Sequence, residues 1–368
     1  ILRSLDDVKM VALYQVMVFT GIPITFYLNG FLLNRIKVAS LYSFGMLLSG
    51  ISMSLMMTIR DLAMPGIIIS GLLMGISYGF FWANRDFLAL NTTKDSNRNY
   101  YYGLETFFYT LTAILVPAAI GAYFAYVSKH QLFGEDIAIS YRYITIAVFL
   151  LTLTSSYVIH RGKFENPGLK RFVYLKFDKL WNKFLLLAGL KGLTQGYLVT
   201  LPAILILRLV GNEDSLGIVQ SISGIITAIV LYVLGRISKP EHRIYIFSAG
   251  YLIFFIGVLI NSLMFSALGV IFFVLCKVLY QPLHDISYFP IQMKVINLLS
   301  EKNKRSEFAY IFNHEFGLYI GRIAGLMLFI LLAFYVSETF ALRYSLLIIG
   351  VVQLLSIPLA KHIIKSSG

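Results

Sequence analysis

Cysteine and charged residues are both scarce in this chain. One of its 368 residues is a cysteine, Cys276, and 13% of the residues are charged, whereas 58% are hydrophobic. A single thiol excludes a disulfide within the chain and metal clusters built on several thiolates. The low charge content also excludes an ordinary soluble domain, because such a domain needs a polar surface over its core. The composition is typical of a polytopic membrane protein.

Motifs that would indicate an enzyme or a metal site are also missing. The sequence has no nucleotide-binding loop and no HExxH zinc motif, and its histidines and single cysteine show no ligand spacing. We therefore expect neither an intramembrane enzyme nor a metal-binding protein.

Hydrophobic stretches long enough to cross a bilayer follow one another along the chain. A transmembrane helix needs about 20 mostly apolar residues, and these stretches lack the polar face of a soluble amphipathic helix. The eleven predicted spans are 9–29, 38–59, 66–90, 100–126, 141–159, 184–207, 215–235, 244–264, 268–291, 308–336 and 341–360. The sequence therefore predicts an all-α polytopic membrane protein.

Lysine and arginine are unevenly placed among the connections between these spans. One set of connections holds 20 of the 31 basic residues. It consists of 34–37, 91–99, 160–183, 236–243, 292–307 and the tail from 361. By the positive-inside rule this set is cytoplasmic, and the C-terminus with it. Because the net charge of +13 is spread over six short connections, it argues against a nucleic-acid-binding surface.

The longest connection, residues 160–183, separates five spans from six. Its alternating apolar and basic residues favour either an amphipathic helix on the anionic inner leaflet or a solvated linker. In both cases we predict an N-terminal helical bundle over 1–159, a cytoplasmic linker over 160–183 and a C-terminal helical bundle over 184–368.

An internal repeat supports this division. At an offset of 205 residues, ten of the first 51 residues meet an identical residue, among them Ile1-Leu2-Arg3, which meets 206–208. Because 206–208 lie at the end of the span 184–207, the matching first span would lie before residue 1. We expect the sequence to begin at the end of its first transmembrane helix, and the intact protein to have twelve.

Two parallel six-helix halves joined by a cytoplasmic linker resemble the major facilitator superfamily of secondary transporters. The segment GFLLNRIK, with Gly30, Arg35 and Lys37, resembles the family's loop between its second and third helices, although Asn34 replaces the usual acid. GRISKPEHR repeats this pattern in the second half, NTTKDSNRNYYYG resembles the basic loop before the fifth helix, and LVPAAIG loosely resembles the Gly-Pro motif of that helix. The resemblance implies two six-helix bundles with pseudo-two-fold symmetry and alternating access to a central path.

Charged residues within the spans follow the pattern that this resemblance implies. In the family, helices 1, 4, 7 and 10 line the path, helices 2, 5, 8 and 11 support it, and helices 3, 6, 9 and 12 face lipid. A charge near the middle of the bilayer costs about 2.5 to 3.5 kcal/mol, so charges should avoid lipid-facing helices. When the spans are numbered with the expected helix before residue 1 as the first, the charged residues fall on the fourth, fifth, seventh, tenth and eleventh helices. They are Arg85, Asp86, Glu105, Lys191, Lys277, His284, Asp285, His314, Glu315 and Arg322.

Helical spacing groups some of these side chains with amides and rings. Lys191 and Gln195 share one helix face, as do Glu315, Tyr319 and Arg322. Such a face can bind an anionic group through its bases and stack the rest of a solute on its rings. The predicted substrate-binding residues are Arg322, Lys277, Lys191 and Gln195, with Tyr78, Trp82 and Tyr319 as walls. Arg85 is a further candidate, which meets either the substrate or only its neighbours.

The acidic residues suggest a second role. A carboxylic acid shielded from water can take up a proton in one facing state and release it in the other. The predicted proton-coupling or gating residues are Asp86, Glu105, Asp285, Glu315 and His284. The alternative is that these acids only neutralise nearby bases, or form bridges that open and close the cytoplasmic gate.

The function predicted from these features is secondary active transport of a small organic solute, anionic or amphiphilic, with a proton gradient as the driving force and no cofactor. The alternative is a flippase for a lipid or lipid-linked precursor on the same fold, because aromatic walls and bases also suit a phospholipid. We expect a monomer in the lipid bilayer of a plasma or bacterial inner membrane, with a small-molecule solute and no nucleic acid as its partners.

Overall fold

The computed structural model describes residues 8–58, 64–92, 95–132, 137–162, 164, 171–199, 201–211, 222–230, 234 and 240–367. All regular secondary structure in these ranges is helical, which confirms the predicted all-α class. The helices are α1 Val8–Leu32, α2 Val38–Thr58, α3 Met64–Thr92, α4 Asp95–His130, α5 Ile137–His160, α6 Lys179–Leu198, α7 Leu201–Leu209, α8 Arg243–Met264, α9 Ala267–Asn303, α10 Glu307–Tyr335, α11 Glu338–Gln353 and α12 Ser356–Ser366. Residues 222–230 are also helical, and a 3₁₀ turn, Pro240–His242, precedes α8.

Nine stretches of the described residues are helical, long and apolar enough to cross a membrane. They coincide with nine of the eleven predicted spans. Of the other two, 100–126 lies on α4, whereas 215–235 falls largely outside the described residues.

The predicted end of the span 268–291 is wrong. The connection predicted from residue 292 is helical as far as Asn303, because α9 continues about three turns beyond the predicted end of its span. Val295, Ile296 and Leu299 are buried along this extension. The extension therefore has an apolar face of its own, although its charged residues are typical of a loop sequence.

Two predicted spans contain a break beside a proline. The span 184–207 consists of α6 and α7, and Pro202 is the second residue of α7. The span 341–360 consists of α11 and α12, with Pro358 in the first turn of α12. Proline has no N–H to donate to the carbonyl four residues earlier, and its ring crowds that carbonyl. The helix therefore ends and restarts at each of these positions.

The chain forms two compact units. The first comprises Ile1–Arg98, Ala122–Tyr174 and Phe308–Tyr319, and the second comprises Asn99–Gly121, Leu175–Glu307 and Ile320–Gly368. The division into 1–159, 160–183 and 184–368 stays a prediction.

Glycines bring α1 and α3 close together in the first unit. Gly71, Gly75 and Gly79 recur at every fourth residue of α3, and therefore lie near one helix face. A Cβ atom added to Gly75 would lie 2.1 Å from the carbonyl oxygen of Val18 and 2.9 Å from the Cα of Gly21. Small residues at this spacing allow membrane helices to pack backbone against backbone.

Serine hydroxyls join α2 to two other helices of the first unit. Ser77 donates to the carbonyl oxygen of Gly45 over 2.7 Å, which links α3 to α2. Ser43 and Ser156 each donate to the other's carbonyl oxygen, over 2.7 and 3.0 Å, which links α2 to α5. Such bonds stabilise contacts between membrane helices, because both helices already satisfy their own backbone groups.

In the second unit α8 packs against α9, and a side chain of α11 caps the C-terminal end of α8. A Cβ atom on Gly257 would lie 2.4 Å from the Cβ of Cys276, so the single thiol lies within this helix packing. Arg343 donates to the carbonyl oxygens of Ser262 and Leu263 over 2.7 and 3.0 Å. An arginine at this position satisfies carbonyl groups that the end of a helix leaves without partners.

Residues 171–178 of the predicted linker are not helical, so the amphipathic helix considered from the sequence is wrong for this part. Residues 179–183, the last of the predicted linker, are the first residues of α6. Phe172 is 4% exposed and belongs to the first unit. Its ring lies 5.2 Å from that of Phe31, 5.6 Å from that of Phe308 and 5.7 Å from that of Phe312, between ring centres. The linker is therefore anchored here by an aromatic side chain.

Gly30, which the sequence comparison singled out, makes room for this anchor. A Cβ atom at Gly30 would lie 2.3 Å from the ring of Phe172. The glycine of the GFLLNRIK segment thus accommodates a linker side chain.

The last residues before α6 bind the end of α9 in the second unit. Asp178 accepts hydrogen bonds from Lys302 over 2.8 Å and from Asn303 over 3.3 Å, and Arg305 donates to the carbonyl oxygen of Lys176 over 2.8 Å. The hydrogen bond from Lys302 holds the pKa of the Asp178 carboxyl below its usual value. The start of α6 is thereby fixed beside the end of α9.

We predict that Phe172→Ala lowers the free energy of unfolding by about 3 to 5 kcal/mol, because it leaves a cavity in a well-packed aromatic cluster. Thermal unfolding of the purified protein in detergent measures the change. The control is Leu175→Ala in the same linker, since Leu175 is 96% exposed and should be replaceable without loss. Equal unfolding temperatures for the two variants would contradict the anchoring role of Phe172.

Candidate functional site

In the second unit α6 and α10 cross at a point where glycines leave no room for side chains. A Cβ atom on Gly321 would lie 2.0 Å from the carbonyl oxygen of Gly189, and one on Gly325 would lie 2.7 Å from that of Leu193. The sequence of α10 here, Gly-Arg-Ile-Ala-Gly, is a GxxxG motif of the kind that allows close helix contact in membranes. The crossing places Arg322, which lies between these glycines, beside α6.

Arg322 binds Gln195 across this crossing. Its Nε and Nη2 atoms both donate to Oε1 of Gln195, over 3.1 and 3.0 Å. The structure thus brings together two of the predicted substrate-binding residues. Because Gln195 is neutral, this contact orients the guanidinium group without cancelling its charge.

Lys191, one turn before Gln195 on α6, lies against two aromatic rings. Its side chain is 4% exposed, and its Nζ atom lies 3.9 Å from the ring centre of Tyr288 and 4.2 Å from that of Phe289. A cation over a ring face is attracted by the negative charge of that face. The rings on α9 thereby hold a second base at this part of α6, and the sequence prediction had not named them.

Asp285, His284 and Gln281 form a hydrogen-bonded group on α9. Nδ1 of His284 lies 2.9 Å from Oδ1 of Asp285, and Nε2 of Gln281 donates to Oδ2 over 2.9 Å. With an ionised Asp285, the proton of the imidazole is on Nδ1 and donates to the carboxylate. Two of the predicted proton-coupling residues are therefore directly paired.

The imidazole ring of His284 lies in an aromatic pocket. It is 1% exposed, stacks on Tyr288 with ring centres 4.9 Å apart, and also contacts Tyr280 and Tyr251. Its Nε2 atom is buried and has no hydrogen-bond partner in the described part of the chain. One nitrogen of the ring thus binds an acid, and the other faces aromatic carbon.

Lys277 is half-buried on α9, one turn before Gln281. Within the described ranges Lys277 makes no hydrogen bond, ion pair or ring contact. Its predicted place in the substrate site stays a prediction.

In the first unit Arg85 pairs with its neighbour in sequence. Its Nη1 atom lies 2.5 Å from Oδ1 of Asp86, and its guanidinium carbon lies 5.4 Å from the ring centre of Trp82. Arg85 was expected to meet either the substrate or only its neighbours, and the structure contains contacts with neighbouring side chains. The three residues form one small group on α3.

The remaining predicted residues lie on three helices. Tyr78 is partly exposed on α3, Tyr319 lies 6.1 Å from Phe316 between ring centres on α10, Glu315 is buried on α10, and Glu105 is partly buried on α4. Their predicted roles stay predictions.

A buried pair of amides lies next to Arg85 and had not been predicted. Asn84 donates to Oδ1 of Asn29 over 2.9 Å, and Asn29 donates back to Oδ1 of Asn84 over 3.2 Å, with both side chains fully buried. This reciprocal bond joins α1 to α3. The signal for it was an asparagine inside each of two apolar spans, because a buried amide needs a partner.

A hydrolase motif also occurs in α3 but lacks the required structure. Residues 75–79 read GISYG, which matches GxSxG, the turn that presents a nucleophilic serine after a β-strand. Here Ser77 lies inside a helix, is 1% exposed and donates to the carbonyl oxygen of Gly45. The motif therefore belongs to the packing of α3 on α2. No group of three His, Cys, Asp or Glu side chains that could hold a metal ion occurs in the described ranges.

Comparison with known proteins decides the family. A sequence profile described as the Major Facilitator Superfamily matches residues 3–326. The chain belongs to the Major Facilitator Superfamily. Family membership confirms the resemblance seen in the sequence and indicates a secondary transporter rather than an enzyme. This member of the superfamily is an integral membrane protein of the lipid bilayer, and its cargo is a small molecule.

Two relatives align with this superfamily member at low identity. One, from Bacillus subtilis (strain 168), is named Uncharacterized protein YqgE and is 23% identical over 358 residues, which are 92% of this chain and 78% of the relative. The other, from Geobacillus stearothermophilus, is named Uncharacterized protein in sodM 3'region and is 27% identical over 119 residues. That match covers 32% of this chain and 56% of the relative.

Solved transporter structures share the fold. The transporter FucP in its outward conformation superposes with a TM-score of 0.65 and 13% identity, over 96% of this chain and 89% of its own. A bacterial homologue of the iron transporter ferroportin in an inward-facing state superposes with a TM-score of 0.63 and 14% identity, over 95% of this chain and 89% of its own. At such identities the likeness concerns the fold alone.

We predict that Gly321→Ala destabilises the protein by about 1 to 3 kcal/mol, the usual cost of forcing a methyl group into a packed contact. The added carbon would meet backbone at Gly189, which can move only if α6 and α10 separate. The measurement is the unfolding temperature in detergent. Gly121→Ala on α4 is the control, because a Cβ atom there would meet nothing within 4 Å. If both variants unfold at the wild-type temperature, the helices do not cross as closely as described.

Proposed function

We propose that this superfamily member is a secondary active transporter that moves a small organic anion, or an anionic amphiphile, by alternating access coupled to protons. The observation that carries the proposal is a pair of bases in the second unit, Lys191 on α6 and Arg322 on α10. Lys191 is held by two rings, and Arg322 is held by Gln195.

The position of these bases within membrane-spanning helices supports an anionic cargo. A base near the middle of the bilayer costs about 2.5 to 3.5 kcal/mol on insertion scales, so such a residue marks a functional site by default. Arginine presents a planar set of N–H donors that matches a carboxylate or phosphate, and lysine adds a point charge. Gln195 holds the guanidinium group through two of these donors and so orients it before a solute arrives.

The aromatic neighbours support an organic cargo over a simple inorganic ion. Tyr288 and Phe289 offer ring surface next to the charge of Lys191. Binding sites for organic molecules combine apolar and aromatic walls with a few polar groups that fix orientation. The predicted role of Tyr78, Trp82 and Tyr319 as walls stays a prediction.

The contacts of the acids favour Asp285 with His284 as the proton-coupling pair. Asp86 is paired with Arg85, which keeps its proton under all conditions in a protein. Asp285 is paired with a histidine, whose neutral imidazole can accept a proton and whose protonated form can release it. A pair that shares one transferable proton can change its charge during a cycle, whereas an arginine-aspartate pair serves better as a fixed ion pair. Glu105 and Glu315 remain further candidates.

The proposal predicts the effect of removing each base. In proteoliposomes supplied with labelled organic anions and neutral analogues, Arg322→Ala and Lys191→Ala should each lower anion uptake about 10- to 100-fold. This range corresponds to the 1.5 to 3 kcal/mol of a hydrogen bond to a charged group. Lys176→Ala is the control, since it removes an exposed base before α6. Unchanged uptake in both site variants would refute the site.

The same vesicles distinguish the flippase alternative. If a fluorescent phospholipid crosses the bilayer only when the protein is present, and no soluble anion moves, the cargo is a lipid. A transporter of soluble anions leaves the phospholipid in its original leaflet.

A second prediction concerns the proton. With Asp285→Asn, a pH gradient should no longer drive accumulation of the solute, because the pair can no longer exchange a proton through its carboxylate. Exchange of internal for external solute, which needs no net proton movement, should continue. Asp86→Asn should leave the gradient effect in place if its role is to pair with Arg85. The coupling assignment would be wrong if Asp285→Asn still accumulated solute in response to the gradient.

A further inference from the structure

A groove of about 390 Å³ opens between α6 and the α11–α12 pair in the second unit, within the 300 to 1,000 Å³ that is usual for ligand sites. It is lined by Lys183, Leu186, Leu190, Leu355, Pro358, Leu359 and His362. The break between α11 and α12 shapes one wall. Nε2 of Gln353 donates to the carbonyl oxygen of Leu190 over 2.5 Å and so fixes α11 against α6 beside the groove.

The walls of the groove are apolar and outward-facing. Leu186 is 60% exposed and Leu355 is 61% exposed, and both lie in stretches that are long and apolar enough to span the membrane. Side chains of this kind on the outside of a membrane-spanning helix contact lipid chains.

The rim at one end of the groove is basic. Nζ of Lys183 lies 2.5 Å from Nε2 of His362, and neither side chain has an acidic partner in the described part of the chain. The lysine donates to Nε2 of the imidazole, and its other N–H groups, with Nδ1–H of His362, stay available to donate to an anionic oxygen.

We infer that this groove binds an anionic phospholipid of the surrounding bilayer. One acyl chain lies along the leucine walls, and the phosphate meets Lys183 and His362. The apolar walls alone do not favour this lipid over its neighbours, because lipid chains are as apolar as leucine. The choice of an anionic headgroup therefore comes from the basic rim, as in other basic pockets between membrane helices. The inference is independent of which solute the protein carries.

The test is lipid binding to the purified full chain, counted by native mass spectrometry. Dioleoyl phosphatidylglycerol and dioleoyl phosphatidylcholine are supplied at equal concentration, so that only the headgroup differs. We expect the wild type to retain phosphatidylglycerol in preference. Lys183→Ala should weaken that preference about fivefold, which corresponds to about 1 kcal/mol for one basic residue near an anionic lipid surface. Leu186→Trp should reduce phosphatidylglycerol binding by filling the groove while every base stays in place.

The matched control is Lys361→Ala, which removes an exposed lysine of α12 that does not line the groove. Equal losses for Lys183→Ala and Lys361→Ala would show a general charge effect and overturn the site. Soluble glycerol phosphate should not displace the lipid, and full displacement by it would overturn the lipid assignment in favour of a free phosphate compound. Unfolding temperatures close to wild type in all three variants show that any loss concerns the groove and not the fold.

Discussion

The close contact between the backbones of α6 and α10 is the constraint on which the candidate site depends. Gly321 lies against the carbonyl group of Gly189, and no side chain fits between them. Membrane helices gain nothing from excluding water when they pair, so dense packing and hydrogen bonds must hold them together. The same contact brings Arg322 within hydrogen-bond distance of Gln195. Glycine at this crossing therefore determines where a positive charge can be kept within the membrane.

Much of the fold could be predicted because the bilayer makes long apolar stretches necessary. The breaks in the helices could not, although prolines were visible in the sequence. Pro23, Pro282 and Pro290 lie inside continuous helices, whereas α6 ends just before Pro202. The outcome at each proline depends on whether neighbouring helices satisfy the freed carbonyl groups. This is a tertiary property that the local sequence does not contain.

The sequence predicted which types of residue form the candidate site, but it did not predict which residues they contact. Spacing along one helix placed Lys191 and Gln195 on a common face, and intramembrane charge pointed to Arg322. The rings beside Lys191 come from another helix, and Asn29 meets an asparagine 55 positions away in the chain. Helical periodicity relates residues three or four apart and carries no information on such distances. Phe172 was hidden for a related reason, since one phenylalanine in an alternating segment looks like any other.

Cys276 lies inside the packing of α8 on α9, beside Gly257. A buried thiol in apolar surroundings reacts poorly with added reagents. As this is the one cysteine among these 368 residues, this chain is already a suitable background for attaching a dye or spin label to a single introduced cysteine. Pairs of such labels on different helices would report distances between them while the protein works, without any prior removal of native thiols.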